Sequence, residues 1–283
     1  MKKYWMTSYN DLIFKYKKFF EEDDNILRKF LFELCNEEGI DLYYSKDEEC
    51  KESIRLKYEK GVKKLLRNMP LNYVLGYSYF YGYKINVSKN VLIPRFETEE
   101  LVSRVLNCYD EKFNGKTINV CDIGTGSGAI AIALKKEVNN INIYATDISS
   151  SALRVAKKNA SLNKCVINFY QGNMLDPLIK NHIHVDILVS NPPYIKTDEK
   201  IEKSVKDFEP HIALFGGGDG LKYYKDLLKK AHFILNKPGY IFFEMGYDQK
   251  EPLSNLVKSI YSDAKIKVFK DINGKNRIMK ISL

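Results

Sequence analysis

The 283-residue sequence predicts an α/β protein: a mostly parallel β-sheet covered by helices, preceded by a small helical domain. Three observations carry this. From about residue 95 onward, helical and strand patterns alternate as a parallel sheet requires. Residues 118–134, INVCDIGTGSGAIAIAL, read as an apolar strand, a glycine loop and a small-residue helix in immediate succession. Residues 8–69 carry helical periodicity throughout.

Taken in order, the helical patterns run from Tyr9 to Phe20, from Asn25 to Glu38 closed by Gly39, and from Glu48 to Arg67 before Pro70. This predicts a helical domain over residues 1–72. Between Tyr73 and Val91, aromatic and polar residues alternate with glycines, so residues 73–94 read as a hairpin linker. The remainder, 95–283, holds strands over 118–123 and 141–148, a fourth over 185–190 and a fifth, GYIFFEM, over 239–245. A long loop is expected between Tyr194 and Gly216-Gly217-Gly218, then a helix over roughly 219–235. AKIKVFKD (264–271) and NRIMKISL (276–283) form a closing hairpin around Asn273-Gly274.

The strand VDILVS at 185–190 runs directly into Asn191-Pro192-Pro193-Tyr194. Each proline removes an N–H and fixes φ, and the residue before it is pushed into the extended region, so Asn191 and Pro192 are both held stretched. The Asn191 side-chain oxygen and the Pro192 carbonyl can then each accept one N–H of a planar NH2 group, with Tyr194 against its flat face. An amide or exocyclic amine is a poor nucleophile and becomes positive as it attacks, so fixed acceptors favour reaction at that nitrogen. A tight turn after a strand would also use Asn-Pro and Pro-Pro.

Gly124, Gly126 and Gly128 let the backbone approach a ligand, and the following helix presents unpaired N–H groups to it. Asp147 closes the next strand, 23 positions after Gly124, where an acidic residue about 20 positions on binds ribose hydroxyls. The nucleoside half of a cofactor is implied. With Ala129 as third small residue the loop also satisfies a dinucleotide fingerprint, so NAD has to be weighed. Hydride transfer needs room for a nicotinamide, whereas here the fourth strand ends in an NH2 clamp. S-adenosylmethionine, presenting a sulfonium methyl group to that clamp, suits the combination better.

VLIPRFETEELV (91–102), DIGTGSGAIAIAL (122–134), NPPY (191–194), FEPHIALFGGGDGL (208–221) and EMGYDQ (244–249) together resemble the HemK/PrmC family, which methylates the side-chain amide nitrogen of a glutamine in peptide chain release factors. The glycine loop and NPPY are shared with DNA adenine and other amino methyltransferases; the first and fourth blocks are more specific. The resemblance spans roughly residues 70–283. It implies a Rossmann-like methyltransferase fold, a seven-stranded sheet with an antiparallel terminal hairpin.

The same resemblance implies S-adenosylmethionine as cofactor. Gly124, Thr125, Gly126, Ser127 and Gly128 would wrap its methionine portion, Asp147 its ribose, and Asn173 and Met174 would lie toward the adenine. Asn191 would touch cofactor and substrate, with Pro192, Pro193 and Tyr194 shaping the glutamine pocket; Asn191, Pro192 and Tyr194 are the candidate catalytic residues. The substrate would be the glutamine of a Gly-Gly-Gln loop in release factors, gripped with help from the helical domain. The chain departs from the family at Asn173, where an acidic residue is usual, and at Phe96, where a proline is usual.

A DNA or RNA amino-methyltransferase acting on adenine or cytosine would use the same clamp, but it normally adds a target-recognition segment and a flipped-base pocket. Direct nucleic-acid binding is therefore not expected. A nucleotide-binding scaffold without activity would have no reason to keep both the loop and NPPY intact.

Composition sets outer bounds. Hydrophobic residues make up 45% and charged residues 29%, ordinary for a soluble globular protein. No stretch approaches the roughly 18 apolar residues of a membrane span. Asp11, Lys15, Lys17 and Lys18 interrupt the first apolar stretch and no small-residue cleavage site follows, so a cytoplasmic protein is expected. The five cysteines (35, 50, 108, 121, 165) form no close pair, which argues against a disulfide framework or a zinc site. His182 and His184 have no third ligand nearby and read as a surface loop. The net charge of +9 suits an acidic partner or nucleic acid, although the lysines lie in short scattered pairs and an AT-rich coding bias accounts for them equally.

Overall fold

The computed structural model describes residues 7–21 and 24–283, so residues 1–6 and 22–23 of the expected helical domain lie outside the described residues. The chain divides into two units. One comprises the described residues up to Gly76 together with Glu202–Phe208; the other comprises Tyr77–Ile201 and Glu209–Leu283.

The smaller unit is helical. Its main helices are Tyr9–Lys17, Asn25–Glu37 and Glu52–Leu65, with shorter ones at Leu42–Ser45 and Leu71–Leu75. Ser8 opens the first with a reciprocal cap: its hydroxyl accepts from the Asp11 N–H at 3.1 Å, and the Asp11 carboxylate accepts from the Ser8 N–H at 2.9 Å. The third helix begins at Glu52 rather than Glu48 because the chain before it is used otherwise. Glu49 bridges Ser8, and the Cys50 N–H donates to the Thr7 carbonyl. Leu27, Leu31, Ile54, Tyr58 and Val62 recur at helical spacing and form the centre of this unit's core.

Gly61 lies inside the third helix, where an alanine would ordinarily be preferred by about 1 kcal/mol. Its lack of a side chain lets the helix close on Phe30. A Cβ there would clash with two ring atoms of Phe30. That ring is 2% exposed and stacks on Tyr58 at 5.4 Å, so it has little freedom to withdraw.

The larger unit opens with a hairpin, β1 (Tyr77–Phe80) and β2 (Tyr83–Asn86). The hairpin expected over 73–94 is thus shorter, and it is part of this unit instead of standing apart as a linker. Asn86 exchanges two hydrogen bonds with the Asn159 side chain, and Asn163 donates to the Lys84 carbonyl, which fastens β2 to the helix Ser150–Leu162.

The remaining strands are β3 (Ile118–Ile123), β4 (Ile141–Asp147), β5 (Asn168–Gln171), β6 (Val185–Ser190), β7 (Leu235–Glu244), β8 (Lys265–Lys270) and β9 (Asn276–Ser282). They form one seven-stranded sheet in the order β5-β4-β3-β6-β7-β9-β8. β3 to β7 run parallel; β9 enters antiparallel between β7 and β8. This is the Rossmann-like sheet with an antiparallel terminal hairpin that the sequence predicts.

Both faces are covered, so the inner strands are apolar almost without interruption. Cys121, Ile123, Leu188, Ile241 and Phe243 pack with Leu227, Leu228, Leu253 and Val257 from the helices Lys222–Ala231 and Lys250–Ile260. The segment after β6 differs from the expected loop: Lys203–Phe208 is helical and His211–Ala213 makes one 3-10 turn. The helix that follows is also shorter than expected, Lys222–Ala231, since Gly217 and Gly220 hold left-handed turns ahead of it.

Among the described residues, no helix is long and apolar enough to cross a membrane, and no group of three or more His, Cys, Asp or Glu residues could hold a metal ion. Cys121 is fully buried in β3.

Gly61→Ala is expected to lower stability by about 1–2 kcal/mol, the net of an overpacking cost in the upper part of the usual range of roughly 1–3 kcal/mol and a gain of about 1 kcal/mol in helix preference. Urea unfolding measures it. An unchanged or raised midpoint would show that Phe30 moves aside freely.

Candidate active site

β3 is flanked by β4 and β6, and the registers set Ile123 beside both Thr146 and Ser190. The residues that follow these are Gly124 in the middle, with Asp147 on one side of it and Asn191 on the other. Three candidates from separate parts of the sequence thus fall on one line at the carboxyl edge of the sheet. Here the strand order reverses, with β4 and β5 to one side of β3 and β6 and β7 to the other. Connections leaving in opposite directions open a crevice at such a point. The Ser190 hydroxyl donates to the Ile123 carbonyl at 2.7 Å and locks the two strand ends together.

The glycine loop turns over the end of β3. Gly124, Gly126 and Gly128 have φ of 73°, 55° and 82°, a region that residues with a Cβ avoid. Gly128 also lets the helix Ala129–Glu137 approach Ala156, whose Cβ would lie 3.2 Å from an added Cβ. The N–H groups of Gly124 and Thr125 both donate to the Thr146 carbonyl at 2.9 Å, tying the loop to β4. Gly124 and Gly126 line a cavity of about 410 Å³, whereas Thr125, Ser127 and Gly128 do not. Thr125 and Ser127 are buried. Thr125 donates at 2.6 Å to Asp122, a carboxylate under the loop whose burial pushes its pKa up to about 7.

Asp147 lines the same cavity. Its two oxygens accept from the N–H groups of Gly126 and Ser149, each at 2.8 Å. Burial raises its pKa, against those two hydrogen bonds. A carboxylate oxygen has two acceptor positions, so each can still take a hydroxyl from a ligand. Asn173 and Met174 line the cavity beyond it, and Met174 is held there by the Thr146 hydroxyl, which donates to its carbonyl at 2.9 Å.

Asn191 and Pro193 lie on the cavity wall; Pro192 is buried and, like Tyr194, does not line the cavity. Tyr194 packs against the core cluster under the sheet edge, its hydroxyl 3.5 Å from the Arg277 guanidinium that donates to it. Burial raises the Tyr194 pKa. The structure also supplies partners that the motif alone does not. Asn191 donates through Nδ2 to the Thr98 hydroxyl at 3.2 Å, and Thr98 donates in turn to Glu244 at 2.6 Å. Glu244 ends β7, is 2% exposed, and is pushed up to about 7 by burial, against the hydrogen bond from Thr98 and the charge of Arg277. The sequence held one signal for it: an acid closing the apolar run GYIFFEM, as Asp147 closes INIYATD.

Two further side chains hold the surrounding segments. Glu209, its side chain 1% exposed, accepts from the Ile93 N–H at 3.2 Å and pairs with Arg95. It thereby joins the stretch containing Val91 and Leu92 to the one containing Pro210, Ile212 and Ala213, all of them cavity residues. Gln249 accepts from the Gly246 N–H at 2.9 Å and donates to the carbonyls of Tyr194 at 3.2 Å and Gly220 at 3.3 Å. One buried amide thus ties together three blocks far apart in sequence.

The Methyltransferase small domain family matches residues 101–209. A methyltransferase structure from Pyrococcus furiosus has the same fold, with a TM-score of 0.50 at 21% identity over 71% of this chain and 88% of that one. Closer likeness lies in sequence. A release factor glutamine methyltransferase of Bacillus cereus is 38% identical over 82% of this chain and 83% of its own length. One of Enterococcus faecalis is 42% identical over 76% of each. Identity sustained over that length, on a chain with its glycine loop, acidic strand end and NPPY edge brought to one crevice, places the protein in the release factor glutamine methyltransferase family.

Proposed function

We propose that the protein transfers a methyl group from S-adenosylmethionine to the side-chain amide nitrogen of the glutamine in the Gly-Gly-Gln loop of peptide chain release factors. The observation that carries this reading is Asn191: it lines the same cavity as Gly124 and Asp147, with its own NH2 already engaged by Thr98, which leaves Oδ1 as an acceptor.

The cavity residues suit the cofactor. The left-handed glycines supply a backbone surface without side chains for the methionine portion, and Asp147 keeps acceptor positions for ribose hydroxyls. Ile148, half exposed beside it, offers an apolar surface to a base, with Asn173 and Met174 beyond. When bound, S-adenosylmethionine supplies an electrophilic sulfonium methyl group.

The chain's own part is to hold and polarise the nitrogen. Asn191 Oδ1 and the Pro192 carbonyl each accept one N–H of the glutamine amide, with Pro193 and Tyr194 shaping the pocket around them. Positive charge gathers on the nitrogen as it reacts, and two fixed acceptors stabilise it without reorganising. Holding the nitrogen in place removes part of an orientational barrier that reaches roughly 7–11 kcal/mol at best. The proton is lost to solvent afterwards, so no general base is needed. The helical unit is assigned to gripping the body of the release factor, and the cytoplasm, where such factors act, is the expected compartment.

Tritiated S-adenosylmethionine should label an intact release factor, label a short Gly-Gly-Gln peptide more slowly, and leave both DNA and a factor with alanine in place of the loop glutamine unlabelled. Label on DNA would favour the nucleic-acid reading, and no label on any of them would remove the proposed activity. Asn191→Ala should lower turnover by about 100-fold or more, while cofactor affinity measured by calorimetry falls much less. Near-normal turnover in that variant would exclude the clamp.

A further inference from the structure

We infer that Thr98 and Glu244 are positioning residues that dictate which end of the Asn191 amide faces the substrate nitrogen. The inference rests on the reading above that Asn191 grips an NH2 group.

A side-chain amide has two ends of nearly the same size, so sterics barely distinguish one orientation from its flip. For this site the difference is decisive. With Oδ1 outward, Asn191 accepts from the glutamine NH2; with Nδ2 outward, two donors confront each other and the developing positive charge is repelled. Something must select the first.

Thr98 alone could not, since a hydroxyl both donates and accepts. Its sense is set one step further back. Glu244 is buried at the end of β7, and as a carboxylate it can only accept. It takes the single proton of Thr98 at 2.6 Å. Only lone pairs of Thr98 are then left for Asn191, whose NH2 lies 3.2 Å away. Asn191 also favours the ionised form of Glu244, as its NH2 end would and its oxygen would not. The donors point one way along the chain, from Asn191 to Thr98 to Glu244, and Oδ1 is left to the cavity.

The relay has a protonation state. The groups facing Glu244 are Arg277 from β9, Glu97 from the helix Glu97–Lys112 that also carries Thr98, Tyr194 from the turn after β6, and Tyr224 from the helix Lys222–Ala231, whose hydroxyl donates to the Glu244 carbonyl at 2.7 Å. Arg277 favours the carboxylate, Glu97 opposes it, and burial outweighs both, leaving the group near 7. A protonated Glu244 can itself donate to Thr98, which frees the Thr98 proton to point at Asn191 and removes the preference. The aligned form is the ionised one. Turnover should therefore rise with pH through about 7 and level off above it.

The test uses the full-length protein with a release factor as substrate. Removing a transition-state hydrogen bond outright costs about 100- to 1000-fold, so Thr98→Val, which loosens the group making it, should lower kcat by roughly 10- to 100-fold, with Thr98→Ser restoring most of it. Cofactor affinity should be unchanged in both. Glu244→Gln should hold kcat near the low-pH value of the unaltered protein and abolish the rise through about pH 7. A folded Thr98→Val protein with normal kcat, or a Glu244→Gln protein with the same pH profile as its parent, would overturn the relay; if Thr98→Val does not fold, the Glu244→Gln profile decides alone. Should the unaltered protein fail to methylate the factor, the proposed function falls, and the relay is decided by NMR of the Asn191 side-chain amide. Resonances that shift around pH 7 in the parent and stay still in Glu244→Gln sustain it, and resonances that do not shift in the parent refute it.

Discussion

The site depends on the register that sets Ile123, Thr146 and Ser190 side by side at the carboxyl ends of three parallel strands. Strands buried on both faces have to be apolar along their length, so polar chemistry is pushed to where they end. β3 and β6 stop at this level and β4 one residue beyond it, so the positions that follow the aligned trio are a glycine, an asparagine and, as the last residue of β4, an aspartate. The order reversal beside β3 then keeps helices off that edge and leaves a crevice over it. A shift of one residue in either pairing would separate the glycine loop from Asp147 or Asn191 from both.

Aligned strand ends alone would leave the segments above them unsupported, and much of the remaining sequence provides that support. Glu209 draws two loops together over one side of the cavity. Gln249 spans the turns at Tyr194, Gly220 and Gly246. Each is a buried polar side chain with its partners in place, and an unpaired group at such a site would cost about 1–3 kcal/mol, so the loops have few alternatives of comparable energy. These contacts give the blocks FEPHIALFGGGDGL and EMGYDQ physical roles that do not involve touching a ligand.

What could be read from the sequence was local. The strand, glycine loop and helix of 118–134 follow from adjacent residues, as does the extended Asn191-Pro192 pair, and the alternation after residue 95 predicts the parallel sheet. The misplacements arose where a distant contact overrode a local pattern. The helix expected from Glu48 starts at Glu52 because residues 49 and 50 pair with the chain near Ser8. The hairpin expected as a linker is bound to the helix Ser150–Leu162 through Asn159 and Asn163. Thr98, which holds Asn191, lies 93 residues from it, and Glu209 lies 116 from Ile93. No spacing rule reaches that far, and a threonine in FETEE has nothing to mark it.

Glu244 sets stability and function against each other. Its folded pKa is raised above the unfolded value of 4.5, so its contribution to stability is full below that value and is lost as pH rises through about 7. The shift corresponds to about 3 kcal/mol between the protonated and ionised forms, a sizeable part of the roughly 5–15 kcal/mol by which folded domains exceed their unfolded chains. Orientation of Asn191 requires the ionised form. The fold is therefore asked to keep a carboxylate charged where burial resists it, and the neighbours that make this possible, Thr98, Asn191 and Arg277, each favour the charge. A glutamine at 244 would relieve the burial cost and keep the shape, but it would bring back a group that can donate as well as accept. The carboxylate is the side chain of that size that can only accept, and the direction of every hydrogen bond from Glu244 to the substrate nitrogen follows from that restriction.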